Sequence, residues 1–232
     1  MDQAKDHKSN INQYAYALAS QGCGTFLYHP APSETCHPGS VGYFDGQGKW
    51  NQIADVSKQE QEEPFQSFNG KLKLKPTETQ SWKTMSGDTS SGSSMHGGAG
   101  VSDLVTTLGE AEAHAGYSKS SSQTAALITL NKVKLNSYHS MFKPNVSVWV
   151  KDNAKQLMTS MYASEIKEYG LWAIRETYVA DDYAIKMSSS NDSSIKGGLD
   201  LAAKGVGKID AGAETFKKLS NEGWRTAKAE PV

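Results

Sequence analysis

The sequence predicts an α+β fold, because apolar residues near its start repeat at helical spacing while much of the remainder alternates with period two. Within residues 11–18 the apolar positions fall at i, i+3, i+4 and i+7, which is one face of an amphipathic helix. Residues 71–75 alternate lysine and leucine, which places successive side chains on opposite faces of a strand. Asp45-Gly46, between two apolar stretches, is a strong signal for a hairpin turn.

The predicted elements follow along the chain in a simple order. An amphipathic helix occupies residues 1–20 and ends before Gly22. A hairpin follows at residues 41–53, and the strand at 70–75 places Lys71, Lys73 and Lys75 on one face. The later predicted elements are strands at residues 81–85 and 145–150 and a helix at residues 152–167.

Charge and composition exclude several classes of protein. The 232 residues carry 24 basic and 25 acidic side chains and a net charge of −1, without the basic excess of nucleic-acid-binding proteins. Only Arg175 and Arg225 are arginine, the residue best suited to phosphate and base-edge recognition. Two cysteines cannot form a disulfide framework, and no apolar run reaches the length of a transmembrane helix. We therefore expect a cytosolic protein that does not bind nucleic acid.

Residues 195–211 are the most unusual segment. One set of alternate residues has no charge, whereas the other set has five charged residues, Lys196, Asp200, Lys204, Lys208 and Asp210. This alternation predicts a strand, although its 17 residues are far longer than an ordinary strand and its glycines weaken it in water. Tyr183, Ile185 and Met187 alternate just before it, so the region 179–211 reads as a long hairpin.

A weaker copy of this hairpin covers residues 93–119. Two alternating stretches of small and apolar residues are separated by a middle section around residues 103–108. Alternating segments of about ten residues joined by polar turns are typical of membrane β-barrel strands. Flexible surface loops, or sandwich strands with one solvated face, would give the same alternation.

The sequence contains no recognisable catalytic pattern. Walker A, dinucleotide-binding, nucleophile-elbow and zinc-protease motifs are all missing. Cys23, His29, Cys36 and His37 match no standard zinc spacing. We expect a protein that is not an enzyme and that requires neither a cofactor nor a metal.

Several stretches in order along the chain resemble the gasdermin pore-forming domain, in its short fungal branch associated with regulated cell death. They are the N-terminal helix, Pro38–Phe44 leading to Trp50, Gly170–Tyr178, Lys196–Asp210 and Gly223-Trp224. The resemblance implies one domain over residues 1–232, with a twisted antiparallel sheet, flanking helices and a C-terminal tail at residues 213–232. It also implies a cytoplasmic inactive form that moves to the plasma membrane on activation.

The function implied by this resemblance is pore formation in fungal allorecognition, or heterokaryon incompatibility. Such a protein binds acidic phospholipids of the inner leaflet, and assembles as a homo-oligomer or with an allelic variant. It then inserts two hairpins per protomer into a β-barrel. Removal of the tail by a protease and pairing with a variant are both possible triggers. The alternative is a non-catalytic cytosolic interaction module without membrane activity.

The resemblance assigns two sets of site residues. The lipid contacts are Lys5, Lys8, Lys71, Lys73 and Lys75. The membrane-inserting residues are Met95, Ala99, Val101, Ala111, Ala113 and Ala115 in the first hairpin and Tyr183, Ile185, Met187, Leu199, Leu201, Ala203 and Ile209 in the second.

Overall fold

The computed structural model describes residues 13–58, 61, 64–68, 70–82, 84–88, 123–129, 132–189, 193–205 and 211–228. It confirms the α+β class, with antiparallel strand pairing throughout the described sheets. The helices are α1 (13–18), α2 (Lys143–Asp152), α3 (Ala154–Thr159), α4 (Ala163–Tyr169), α5 (Ser193–Gly205) and α6 (Ala211–Asn221). The strands are β1 (Ser40–Phe44), β2 (Trp50–Asp55), β3 (Glu78–Gln80), β4 (Thr84–Asp88), β5 (Gln123–Ile128), β6 (Val133–Ser137), β7 (Trp172–Ala173), β8 (Glu176–Val179), β9 (Asp182–Ser189) and β10 (Arg225–Lys228). Two 3-10 turns, Ala19–Gln21 and Ser140–Phe142, complete the set.

Two of the sheets are joined end to end. One has the order β10-β9-β5-β4 and the other the order β3-β6-β8. Each of β3, β5 and β8 leads within four residues into a strand of the other sheet, to β4, β6 and β9 respectively. The two sheets therefore form a composite ribbon of three antiparallel strands, with β10 added beside β9.

Helices cover both faces of the β10-β9-β5-β4 sheet. Alternate residues of β5 and β9 point to opposite faces, so Leu127 and Ile185 meet α1, whereas Ile128 and Ala184 meet α5 and α6. The side chain of Gln21 donates a hydrogen bond of 3.0 Å to the carbonyl oxygen of Ser86, which covers part of the β4 edge. Burial on both faces makes this sheet the centre of the molecule.

A second core lies between the β2-β1-β7 sheet and the helices α2 to α4. Trp149 and Leu157 are buried against Val41 and Tyr138. The Tyr138 hydroxyl donates to the carbonyl oxygen of Pro38 at 2.9 Å. This core is adjacent to the end of the composite ribbon where β6 finishes.

Several local predictions are confirmed. The N-terminal helix is present in its described part, and its last turn ends at Gln21, next to the predicted stop at Gly22. The predicted hairpin forms with Phe44 opposite Trp50 around the Asp45 turn. The alternation of Tyr183, Ile185 and Met187 lies in β9.

Four predictions of secondary structure are wrong. Residues 145–150, predicted as a strand, lie in α2, and the single helix predicted at residues 152–167 is divided among the end of α2, α3 and α4. In the predicted strand at residues 70–75, the structure shows an isolated bridge from Leu74 to Tyr138. The fourth error concerns α5, which the sequence predicted as a strand.

Candidate functional site

The candidate site is the end of the ribbon where the strands that flank the first predicted hairpin lie beside the end of β9, the first strand of the second predicted hairpin. Asp88 is paired with Thr124, and Gln123 is paired with Ser189. The last residue of β4, the first of β5 and the last of β9 therefore lie side by side. We call this the root end, defined by Asp88, Gln123 and Ser189. The chain that continues from it contains the first predicted hairpin and the link to α5.

Several predicted site residues fall outside the described part of the chain. The hairpin 93–119 is among them, and its flanks β4 and β5 are neighbouring antiparallel strands. The same applies to the lipid contacts predicted near the N-terminus and to one residue of the second hairpin. These residues are Lys5, Lys8, Met95, Ala99, Val101, Ala111, Ala113, Ala115 and Ile209.

The first strand of the second predicted hairpin is β9, whose apolar residues are covered in this structure. Ile185 is 2% exposed and lies against Leu127 and the N-terminal helix. Tyr183 and Met187 are half-buried against the same cluster. Any contact of these three side chains with lipid requires α1 to move away from the sheet.

The second strand of that hairpin is a helix in the structure, so the predicted strand is wrong for residues 195–205. Ile195 is 4% exposed, and Leu199 and Leu201 pack on the cluster formed by β5, β9 and α6. Ala203 belongs to the same helix. A helix satisfies its own backbone hydrogen bonds, whereas a long glycine-rich strand needs a neighbour to do so.

The alternation in residues 195–205 predicted a strand wrongly because a spacing of four residues occurs on one face of both a helix and a strand. Residues i and i+4 lie on one face of a helix and also on one face of a strand. Ile195 and Leu199 have this spacing, as do Lys196 and Asp200. Gly197 distinguishes the two structures, because it would lie on the same face as Ile195 in a strand but on another face in a helix. It is exposed while Ile195 is buried, as expected for a helix.

Residues 70–75, which we call the lysine segment, lie at the end of the ribbon opposite the root end. Lys71 and Lys73 are exposed and Lys75 is half-buried. The segment is held by its backbone, since Lys75 N–H donates to the carbonyl oxygen of Ser137 at 2.9 Å and the Asn145 amide donates to the carbonyl oxygen of Lys71 at 2.9 Å. The structure therefore places these lysines far from the root end along the strands.

A buried aspartate cluster supports the β1–β2 hairpin but lacks the geometry of a catalytic group. The Ser57 hydroxyl donates to Oδ1 of Asp55 at 2.6 Å, while Nε2 of His37 lies 3.4 Å from Oδ2 of the same residue. The carboxylate stands between the serine and the histidine, so the histidine cannot take the serine proton directly. Burial raises the pKa of the nearby Cys36 thiol to about 11, which keeps it protonated and unreactive.

The described residues show little sign of a ligand or metal site. A pocket of about 160 Å³ lies between Gln66–Phe68, Gly70 and α2, beside Trp149 and Asn153. The backbone of Gln66 in this pocket is already bonded within the protein, because its N–H donates to Oδ1 of Asn153 at 2.7 Å and its carbonyl oxygen accepts from the Trp149 indole at 2.7 Å. Among the described residues, no group of three or more histidine, cysteine, aspartate or glutamate side chains is placed to hold a metal.

No helix within the described ranges has the length and apolar character needed to cross a membrane. Comparisons with protein-family models, with curated proteins and with solved structures found no match to this chain.

The sequence interpretation missed the residues that position α5. Trp224 is 3% exposed and lies beneath this helix, next to the buried Gly198. Gly223 is separated from the end of α6 by Glu222 alone, and a glycine just past an amphipathic helix, followed by a large apolar residue, is the signature of a Schellman cap. Gly223-Trp224 after the amphipathic residues 211–221 could therefore have predicted a helix end at this point from the sequence alone. The region predicted as a C-terminal tail thus contributes α6, Trp224 and β10 to the fold, as far as Lys228.

Proposed function

We propose that this protein is a non-enzymatic pore former that binds acidic phospholipids, oligomerises and inserts β-hairpins into the plasma membrane. The active form is a homo-oligomer or an assembly with an allelic variant, and the biological outcome is regulated cell death. The inactive form is cytoplasmic. The gasdermin-like stretches of the sequence suggest this function, and the architecture of the sheet supports it.

One observation carries the proposal: the two strands that flank the first predicted hairpin and the first strand of the second predicted hairpin end side by side at the root end. β5 lies between β4 and β9, with Thr124 paired to both Asp88 and Ser188. Lengthening these three strands beyond the root end would continue the ribbon without changing the order or direction of its strands. A membrane-spanning sheet must close into a barrel of neighbouring strands, and these three strands already have neighbouring antiparallel positions.

The fourth strand, beside the extended β4, β5 and β9, would come from the residues of α5, whose sequence is amphipathic at both helical and strand spacing. In the described structure this helix buries Ile195 and Leu199 on the sheet. As a strand, the same segment would present its uncharged residues to lipid and Lys196, Asp200 and Lys204 to a water-filled lumen. One sequence can therefore be amphipathic in both states.

Dye release from lipid vesicles tests this function. We expect release from phosphatidylcholine vesicles containing phosphatidylserine and little or none from pure phosphatidylcholine. Leu201→Lys should abolish release, because a lysine on the lipid face near the midplane costs about 2–4 kcal/mol in every protomer.

Two matched variants separate insertion from simple loss of packing. Leu201→Ala loses the same contact of α5 with the sheet but adds no charge, so it should still release dye. Asp200→Lys changes a residue that is exposed in the helix and faces the lumen as a strand, so release should persist with altered ion preference. Equal release from all variants would contradict insertion, and vesicles that stay intact would favour the interaction module.

A further inference from the structure

We infer that Trp224 and Gly198 form a latch that holds α5 in its helical state on the sheet. This inference rests on the proposed function, because it names the contact that must break before residues 195–205 can become a membrane strand. The latch lies within the folded domain and involves two residues that are 26 positions apart in the sequence.

The position of Trp224 is fixed by the end of α6. Trp224 N–H donates to the carbonyl oxygen of Leu219 at 3.0 Å, and Gly223 N–H donates to that of Ser220 at 3.1 Å. Gly223 has a φ of 79°, which completes the Schellman geometry. Leu219 and Trp224 both enter the cluster against Ala184. The indole is therefore directed into the core by backbone geometry.

The helix α5 lies so close to this indole that only glycine fits. A Cβ atom added at Gly198 would lie 2.3 Å from Cζ2 of Trp224, 2.6 Å from Cε2 and 2.7 Å from Nε1. Real Cβ atoms do not approach other atoms so closely. The absence of a side chain at residue 198 is thus a condition for the docked helix.

The docked state also has a built-in weakness. Nε1 of Trp224 is buried, and none of the described residues accepts a hydrogen bond from it. A buried donor without an acceptor is destabilising compared with the same donor in water. Undocking of α5 would expose the indole and let water accept a hydrogen bond from Nε1. The close packing of Trp224 against Gly198 therefore stabilises the docked helix, whereas the unsatisfied indole N–H destabilises it.

Two adjacent glycines provide the decisive test. A Cβ atom added at Gly197 would meet nothing within 4 Å among the described residues outside its own helix. Gly197→Ala therefore gains helix propensity without a clash, whereas Gly198→Ala gains the same propensity and collides with Trp224. Hydrogen exchange of amides 195–205 in the full chain, without membranes, measures how often α5 opens.

We expect the two alanine variants to differ in sign. Exchange should slow about fivefold in Gly197→Ala, because alanine favours the helix over glycine. Exchange should accelerate about tenfold in Gly198→Ala, because an extra methyl group in a filled core forces the helix away. Similar exchange in the two variants would overturn the latch.

A double variant shows whether Gly198 acts through the indole. In the Trp224→Leu background the colliding atoms are gone, so adding Gly198→Ala should slow exchange rather than accelerate it. This reversal also answers the case in which Gly198→Ala alone unfolds. An unchanged acceleration in the Trp224→Leu background would overturn the assignment of Trp224.

Dye release from phosphatidylserine-containing vesicles links the latch to the pore. Gly198→Ala should release dye faster than the natural chain, and Gly197→Ala should release it more slowly. If the exchange contrast is present but none of the three proteins releases dye, the pore function fails and the latch loses its regulatory role. If all release dye at the same rate despite the exchange contrast, pore formation survives and the latch is rejected as its control.

Discussion

At the scale of single residues, burial raises the pKa of two titratable groups, which makes the free energy of unfolding depend on pH. Cys36 is 8% exposed and Tyr138 is 1% exposed. Burial raises the pKa of the Cys36 thiol to about 11, and burial together with the nearby Asp55 charge raises the pKa of the Tyr138 hydroxyl to about 12. Both groups are neutral in the folded protein at physiological pH. Their effect on stability therefore appears only in alkaline solution.

We predict that the free energy of unfolding falls as pH rises through the range from about 9 to 11. The unfolded Cys36 thiol loses its proton near its ordinary pKa of 9.0, whereas the folded thiol keeps it until about 11. Its contribution is complete below pH 9 and is lost as pH rises through the folded value. Urea titrations at pH 8, 9.5 and 11 measure this loss, and Cys36→Ala should reduce it.

Cys23→Ala is the control for this prediction. Cys23 is only half-buried, so its removal should alter the pH dependence less than removal of Cys36. A Cys36→Ala variant with the same alkaline slope as the natural chain would show that this thiol does not couple to folding. The remaining slope above pH 10 would then belong to Tyr138 and other groups.

At the scale of elements, some residues would be buried in a strand but exposed in a helix, and their burial distinguishes the two structures. In α2, Val146, Trp149 and Val150 are buried, with the i, i+3, i+4 spacing of a helix, whereas Val148 is 43% exposed. A strand would have placed Val146 and Val148 on the same face. Pro144 in the first turn favours the helix start, because its missing N–H has no helical partner there.

We predict that Asn153→Ala destabilises the protein by about 1–3 kcal/mol, because it removes two hydrogen bonds made by a buried side chain. Asn153 is 1% exposed, its Oδ1 accepts from Gln66 N–H at 2.7 Å, and its amide donates to the carbonyl oxygen of Trp149 at 3.0 Å. These bonds hold residues 64–68 against the junction of α2 and α3. Urea denaturation monitored by circular dichroism measures the change.

Asp152→Ala provides the matched control at the neighbouring position. Asp152 is exposed, so its replacement should change the free energy of unfolding by less than about 0.5 kcal/mol. Equal stability of the two variants would mean that water replaces Asn153 at Gln66 without cost.

At the scale of the whole molecule, the ribbon separates two predicted membrane contacts. The root end lies at Gln123, and the lysine segment lies beside Ser137 at the other end of the middle strand. At about 3.3 Å per residue, a strand path of 15 residues spans at most about 50 Å. If the lysines touch the membrane while the root end inserts, the ribbon must lie along the membrane surface at that stage.

We predict that replacing Lys71 and Lys73 together with glutamate weakens co-sedimentation with phosphatidylserine-containing vesicles. Each lysine near an anionic surface contributes about 1 kcal/mol, and each reversal also adds repulsion. The effect should shrink at high salt, because exposed charges are screened. Both side chains are exposed, so folding should be unaffected.

Lys151→Glu with Lys155→Glu gives the same change in net charge at another exposed site. This control should reduce co-sedimentation less than the Lys71 and Lys73 pair. Equal reductions would mean that binding follows net charge alone, and no reduction in either pair would remove these lysines from the lipid site.

Features that depend only on neighbouring residues can be predicted from the sequence alone. These are the N-terminal helix, the hairpin at the Asp45 turn, the alternation of β9 and the α+β class. Each follows from a single period or from turn chemistry, which acts over a few residues. The amphipathic character of residues 195–205 also belongs here, although not its geometry.

Where one pattern permits two geometries, contacts between distant parts of the chain select one of them. Ile195 and Leu199 suit a strand as well as a helix, and the helix forms because the face of β5 and β9 offers Ile128 and Ala184 to cover it. The close approach of Gly198 to Trp224 and the alignment of the three strand ends arise from contacts between distant residues. Such contacts leave no local period, because their stabilising burial exists only after the chain has folded.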